Sequence, residues 1–278
     1  MIERRLAVSG TMLYVQERGA GWPLLLMHGA GEDAWALAGQ AEHLAGAGYR
    51  VLTHDRRGTG RSGREAWPGE RADQHADDAA GLLEALDAIP ATVLGLSSGA
   101  VVALALGVRR PDLVDRVVAW EPPALGVLPE GTELAADIMA PVDAYLAGNP
   151  GDWYGAQLVM LTALGAQLDL SDPALVAERP YAEPMVRDDP YLTLRRFTRT
   201  ELARVPVTLA VGTAALGLVR AAVDRLATWT GRPPIVVDAE HGVYRTNPAV
   251  LTGVLGRHGD AAAAGIRALN GSEGMRWR

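Results

Sequence analysis

Gly95-Leu96-Ser97-Ser98-Gly99 follows the apolar run Ala91-Thr92-Val93-Leu94 and leads straight into Ala100-Val101-Val102-Ala103-Leu104-Ala105-Leu106. A strand, a G-x-S-x-G turn and a helix fit into so few residues only if the Ser takes a strained backbone and small residues stand at 95 and 99. The strain lifts the Ser97 hydroxyl clear of the sheet at a helix N-terminus, whose free N–H groups and dipole favour developing negative charge. Read without chemistry, the same residues are a tight strand-to-helix turn.

A second element agrees with the catalytic reading. His28-Gly29-Ala30-Gly31 closes the apolar run Leu24-Leu25-Leu26-Met27. Its glycines let the backbone fold back over the same edge, so that the N–H groups of Ala30 and Ser98 can pair as an oxyanion hole. His28 reads as a structural residue holding this loop through hydrogen bonds.

Working outward, apolar runs at 24–27, 50–53, 91–94, 114–120, 205–211 and 235–237 read as buried strands. Segments 5–9 and 12–17, split by a Gly, read as an N-terminal hairpin. Helical patterns at 33–46, 72–88, 98–109, 216–230 and 248–258 alternate with the strands. The spacing predicts an α/β fold with a mostly parallel eight-stranded sheet and helices on both faces. From 122 to 200 the strand pattern stops, and helix-like, Pro-broken segments carry Tyr145, Trp153, Tyr154, Met160, Tyr181, Met185, Tyr191 and Phe197. This stretch reads as a helical cap inserted after the sixth strand, its aromatics either meeting a ligand or packing the cap itself. The division is then a core of 1–121 and 201–258, a cap of 122–200 and a C-terminal tail of 259–278. For the tail, disorder, a docked helix and a partner contact all stay open.

The order strand–His28-Gly29-Ala30-Gly31, strand–Asp55-Arg56-Arg57-Gly58-Thr59-Gly60-Arg61-Ser62, strand–Gly95-Leu96-Ser97-Ser98-Gly99 resembles the α/β-hydrolase superfamily. The late Gly212 loop and His241 fit the same resemblance, which spans residues 1–258. It implies a Ser nucleophile at 97, a His base at 241, a helical cap between the sixth and seventh strands, and no cofactor. Gly58-Thr59-Gly60-Arg61-Ser62-Gly63 also matches the dinucleotide fingerprint G-x-G-x-x-G. That fingerprint should open a helix after the first strand of its unit, whereas this one runs into the loop Arg64-Glu65-Ala66-Trp67-Pro68-Gly69, so it reads as a structural turn.

Six histidines are available, and the chain order Ser…acid…His selects His241, after the last strand and before the final helix. His258 reads as a helix C-cap, His43 and His75 as solvated helix positions, and His54 as a strand end able to reach the edge. The acid departs from the superfamily's pattern. Ala215 stands where the loop after the seventh strand usually carries Asp. Glu121 is the replacement candidate: it directly follows the strand 114–120, and Pro122-Pro123 turn it outward. A subgroup of the haloalkane dehalogenases carries its acid at this position, although a Ser nucleophile disfavours dehalogenation here. Glu121 read structurally would cap the cap entrance or pair with an Arg. Asp238, inside the strand, and Glu240, folded back on its neighbour, are weaker candidates.

Composition narrows the chemistry further. The 278 residues include no Cys, and all 26 basic residues are Arg. Thiolate nucleophiles, Cys-ligated metals, Schiff-base lysines and a P-loop are excluded. A formal charge of −7 argues against non-specific nucleic-acid binding. No apolar window approaches a membrane span or signal peptide, so a soluble cytoplasmic protein is expected, and the Asn270-Gly271-Ser272 sequon reads as chance. No metal-ligand spacing is visible, and the pairs Asp77-Asp78 and Asp188-Asp189 read as solvated faces or loop caps. The expected partner is a small, apolar or aromatic metabolite contacted by cap Trp, Tyr, Met and Leu, with Arg195, Arg196 and Arg199 able to recruit a carboxylate. A homodimer is compatible with the chain.

Three functions remain open. The first is a cofactor-independent serine hydrolase of an ester, lactone or thioester. The second is a non-hydrolytic, C–C-cleaving or cyclising enzyme of the same fold on a polyketide-like substrate. The third is an inactive ligand-binding protein, motivated by Ala215.

Overall fold

A computed structural model of the chain describes residues 1–256; His258, the 259–278 tail and the Asn270 sequon lie outside the described residues. The strands are β1 (Ile2–Val8), β2 (Thr11–Arg18), β3 (Trp22–Met27), β4 (Tyr49–His54), β5 (Ala91–Leu96), β6 (Val114–Trp120), β7 (Val207–Gly212) and β8 (Ile235–Val237). They form one sheet in the order β1-β2-β4-β3-β5-β6-β7-β8. The β1–β2 and β2–β4 pairs are antiparallel and all later pairs parallel.

Period-2 alternation divides the central strands between two cores. Leu25, Met27, Val93, Val117 and Leu209 face one side, where α2 (Ala72–Ala85) and α3 (Ser98–Arg109) pack. Leu24, Leu26, Leu94, Val118 and Trp120 face the other, against α1 (Ala38–Gly46). In α3, positions Ser98 to Gly107 are buried without a break, because the helix is apolar all round and is enclosed by the sheet, α2 and the cap's end at Asp189–Leu192 and Arg199–Leu202. The α1 helix begins later than its apolar pattern, since the Asp33 carboxylate accepts the N–H groups of Trp35 and Ala36 at 2.8 and 3.0 Å and turns the chain first.

Between β6 and β7 the chain forms 3₁₀ turns at Leu125–Val127 and Arg179–Tyr181 and otherwise α-helices, with no strand among these described residues. These are α4 (Gly131–Gly148), α5 (Trp153–Ala163), α6 (Pro173–Ala177), α7 (Ala182–Arg187), α8 (Asp189–Leu192) and α9 (Arg199–Leu202). Met139, Val142, Ala156, Met160, Met185 and Val186 make their own small core. After β7 come α10 (Gly217–Thr230), β8, α11 (Val243–Thr246) and α12 (Ala249–Leu255).

Two expectations are corrected. The last strand is not buried: β8 ends the sheet, and Ile235 and Val236 are 40% and 51% exposed. It has a neighbour on one side only, and α11 and α12 turn back onto α1. His75, Asp78, Asp188 and Asp189 are not solvated but buried. Each has a partner: Arg57 forks onto Asp78 at 2.6 and 2.8 Å, and His75 Nε2 meets Asp188 at 2.7 Å. Helix α2 and the cap segment before α8 each turn a polar face inward, and pairing is what makes that burial tolerable.

Candidate active site

Strand β5 delivers Ser97 to the C-terminal edge with φ +52°, a conformation that L-residues rarely adopt. The elbow is tight on both sides. A Cβ on Gly95 would stand 2.4 Å from the Gly99 carbonyl oxygen, and one on Gly99 would stand 2.3 Å from that of His28. Glycine at 95 and 99 therefore lets the elbow and the His28 loop lie against each other.

One strand along, β6 delivers Glu121, fully buried and at φ +46°. Its backbone N–H still bonds Ala210 O at 2.9 Å, continuing the ladder, while its side chain turns over the end of β7. Glu121 Oε1 accepts the Gly212 N–H at 2.7 Å, and Oε2 accepts a short hydrogen bond from His241 Nδ1. Trp120 adds a further hold by donating its indole N–H to the His241 carbonyl at 3.1 Å. His241 thus presents Nδ1 to a buried carboxylate, which leaves Nε2 to exchange a proton. With its side chain 46% exposed, it stands at the rim.

Ala30, Ser97, Ser98, Glu121 and His241 all line one cavity of about 390 Å³. Its remaining wall is mainly aliphatic: Leu125, Ile138, Met139, Met160, Leu161 and Met185 from the cap, with Leu216 and Leu218 at the start of α10. The cap aromatics expected there are elsewhere, and Tyr145 and Trp153 pack against the cap's own core. Arg195, Arg196 and Arg199 are also outside this wall. Arg195 is tied to Asp73 at 3.0 Å and lies over Phe197, so its charge is engaged away from the cavity.

The other histidines divide by environment. His28 accepts the Arg56 N–H at Nε2, 3.1 Å away, so its proton sits on Nδ1, which meets Gly29 O at 2.8 Å. Burial, with the Arg56 charge adding, holds His28 well below its ordinary pKa, and it remains a neutral brace. His54 is buried rather than at the open edge, and burial pushes it down to about 3. The Gly58–Gly63 turn closes on itself by a 2.9 Å backbone bond, and a Cβ at Gly60 would meet Asp55 Oδ2 at 2.3 Å, so this segment is a packed turn. Asp238 lies just past β8 and accepts from Thr213 Oγ1 at 3.0 Å.

Several residues at the site carry no sequence signal. Glu32 Oε2 accepts the Gly29 N–H at 3.0 Å, while its Oε1 accepts from Tyr244 and Arg245 at 2.9 and 2.7 Å. It therefore joins the His28 loop to the helix that follows His241. Arg245 reaches on to Glu178 of the cap at 3.1 Å, and burial raises the Glu178 pKa. Asp189 lines the cavity, and burial raises its pKa too, although Arg56 and Ser98 both bond it. Among the described residues no group of three or more His, Asp or Glu is gathered as metal ligands would be. No helix among them is long and apolar enough to cross a membrane.

A family model described as serine aminopeptidase, S33, matches residues 21–153, just under half of the chain. That span includes the His28 loop, Ser97 and Glu121 but stops before His241. YraK of Bacillus subtilis (strain 168), described as an uncharacterized hydrolase, is 43% identical over 130 residues, 46% of this chain and 47% of its own length. RutD of Azorhizobium caulinodans, described provisionally as a carbamate hydrolase, is 30% identical over 204 residues, 71% of this chain and 75% of its own. The chain thus spans less than half the length of YraK and three quarters of RutD. Among solved structures, an α/β hydrolase from Sphaerobacter thermophilus superposes with a TM-score of 0.70 at 22% identity, covering 91% of this chain and 100% of that one.

Proposed function

The chain belongs to the α/β-hydrolase superfamily of enzymes, and on that premise we propose that it is a cofactor-independent serine hydrolase of an ester, lactone or thioester in a small, apolar metabolite. The observation that carries this reading is the buried Glu121 carboxylate on His241 Nδ1, at the rim of the cavity that Ser97 lines. Ser97 Oγ attacks the carbonyl carbon while His241 Nε2 takes its proton. Glu121 holds the imidazole in the required tautomer and stabilises the imidazolium. The amides of Ala30 and Ser98 receive the oxyanion. Collapse expels the alcohol or thiol, protonated by His241, and water then cleaves the acyl-enzyme by the same steps.

The cavity wall supports a neutral acyl group. Among the described residues Arg245 is the single guanidinium lining it, and Glu32 and Glu178 already hold that charge. Two relatives named as hydrolases support the hydrolytic class. The test is p-nitrophenyl butyrate turnover by wild type and Ser97→Ala. The variant is expected to lose activity by a factor on the order of 10⁴ or more. A Ser97→Ala enzyme that turned the ester over at the wild-type rate would overturn the assignment.

A further inference from the structure

We infer that Arg56 and Asp189, a buried ion pair joining core and cap, are positioning residues that aim both oxyanion donors. The inference rests on the serine-hydrolase reading and on Ala30 and Ser98 as the donors.

The Gly29 carbonyl and the Ala30 N–H belong to one planar, trans peptide and point in opposite directions. Whatever holds Gly29 O therefore sets where the Ala30 N–H points. Gly29 O accepts from Arg56 Nη2 at 3.2 Å and lies 2.8 Å from His28 Nδ1, so the peptide is clamped from behind. The same Arg56 Nη2 donates to Asp189 Oδ1 at 2.6 Å. That same oxygen accepts from Ser98 Oγ at 2.6 Å. One short chain of bonds thus runs from the peptide of the first donor, through Arg56 and Asp189, to the residue that carries the second.

The chain is shielded from water: Arg56 and Ser98 are each 2% exposed and Asp189 5%. Each hydrogen bond in it acts in a low-dielectric setting. The three anchors come from different parts of the molecule, since Arg56 follows β4, Ser98 opens α3, and Asp189 opens α8 of the cap. The cap therefore shapes the chemistry at the nucleophile as well as walling the cavity. A salt bridge serving stability alone has no need to end on both halves of one anion site.

The test is the rate at which a fluorophosphonate labels Ser97, which does not depend on knowing the substrate. The Oγ–P bond forms, the P–F bond breaks, fluoride leaves and the Ser97 proton passes to His241, with the phosphoryl oxygen in the oxyanion hole. Asp189→Ala, which removes the shared acceptor, is expected to lower the maximal labelling rate about tenfold, part of the 10²–10³ that follows outright loss of one oxyanion donor. The half-saturating probe concentration should stay within about threefold and the midpoint of the pH–rate profile should be unchanged, since neither depends on donor aim. Ser98→Ala removes the hydroxyl link alone and is expected to cost about threefold; it decides the matter if Asp189→Ala does not fold. A folded Asp189→Ala labelled within twofold of wild type, or faster, overturns the inference, as does an unchanged rate in Ser98→Ala when that variant decides. Wild-type protein left unlabelled at Ser97 would instead overturn the serine-hydrolase reading beneath it.

Discussion

Glu121 shows how much one side chain can depend on its neighbours. It takes a left-handed backbone at φ +46°, which a residue with a Cβ adopts at a cost, and the ladder bond to Ala210 holds it there. Gly212 leaves room for it: a Cβ there would lie 2.4 Å from Ala239 O and 2.9 Å from Glu121 Oε1. Gly212→Ala is therefore expected to push the carboxylate off His241 and lower kcat at least about tenfold. Gly253→Ala, with nothing within 4 Å of its new methyl, should leave kcat unchanged, and steady-state kinetics on both variants checks the pair. That Ser97, Ala30 and Ser98 come to one cavity was legible because strained turns demand glycine at fixed local spacings. Glu121 was legible through an absence, Ala215, together with its place after a strand. Glu32, Arg56 and Asp189 were not. Arg56 meets Asp189 across 133 positions, and no periodicity encodes a contact of that separation.

At the scale of elements, polar residues on inward faces join the parts together. Arg57, in the turn after β4, forks onto Asp78 of α2 and donates to Ser9 O of the N-terminal hairpin at 2.8 Å. Both side chains of this pair are almost wholly buried. Arg57→Leu would strand the Asp78 charge and is expected to cost about 3–5 kcal/mol in urea denaturation. The double variant Arg57→Leu/Asp78→Leu should recover much of that loss, because it removes the uncompensated charge. Central strands and the helices that cover the sheet were readable from apolar periodicity, which tertiary packing here reinforces, whereas the bounds of the cap helices α4 and α5 were not. The departures have physical causes. Asp33 claims two N–H groups before α1, the edge position leaves β8 open, and α2 turns His75 and Asp78 inward because Asp188 and Arg57 meet them. A pattern of apolar residues reports none of these, since a buried charge looks like a solvated one until its partner is known.

For the molecule as a whole, buried histidines contribute an acid sensitivity. Burial pushes His54 from 6.5 down to about 3, and His28 is lowered in the same direction. Both stay neutral in the fold and gain a proton on unfolding, so below pH 6.5 the unfolded chain binds more protons. Stability should be full above that pH and fall as pH drops towards 3, by about 1.4 kcal/mol per unit for His54, with His28 adding in the same direction. Denaturant titrations at pH 7 and pH 5 measure the slope, and His54→Gln should make it shallower. Core and cap meet at the cavity, where β5, β6 and the chain after β8 bring Ser97, Glu121 and His241 to one edge. The most direct test of that arrangement is kcat for p-nitrophenyl butyrate in Glu121→Gln, whose amide can still accept the Gly212 N–H. With Glu121 as the acid of the triad, kcat falls about 10³–10⁴-fold while KM changes little. A kcat within tenfold of wild type would contradict it.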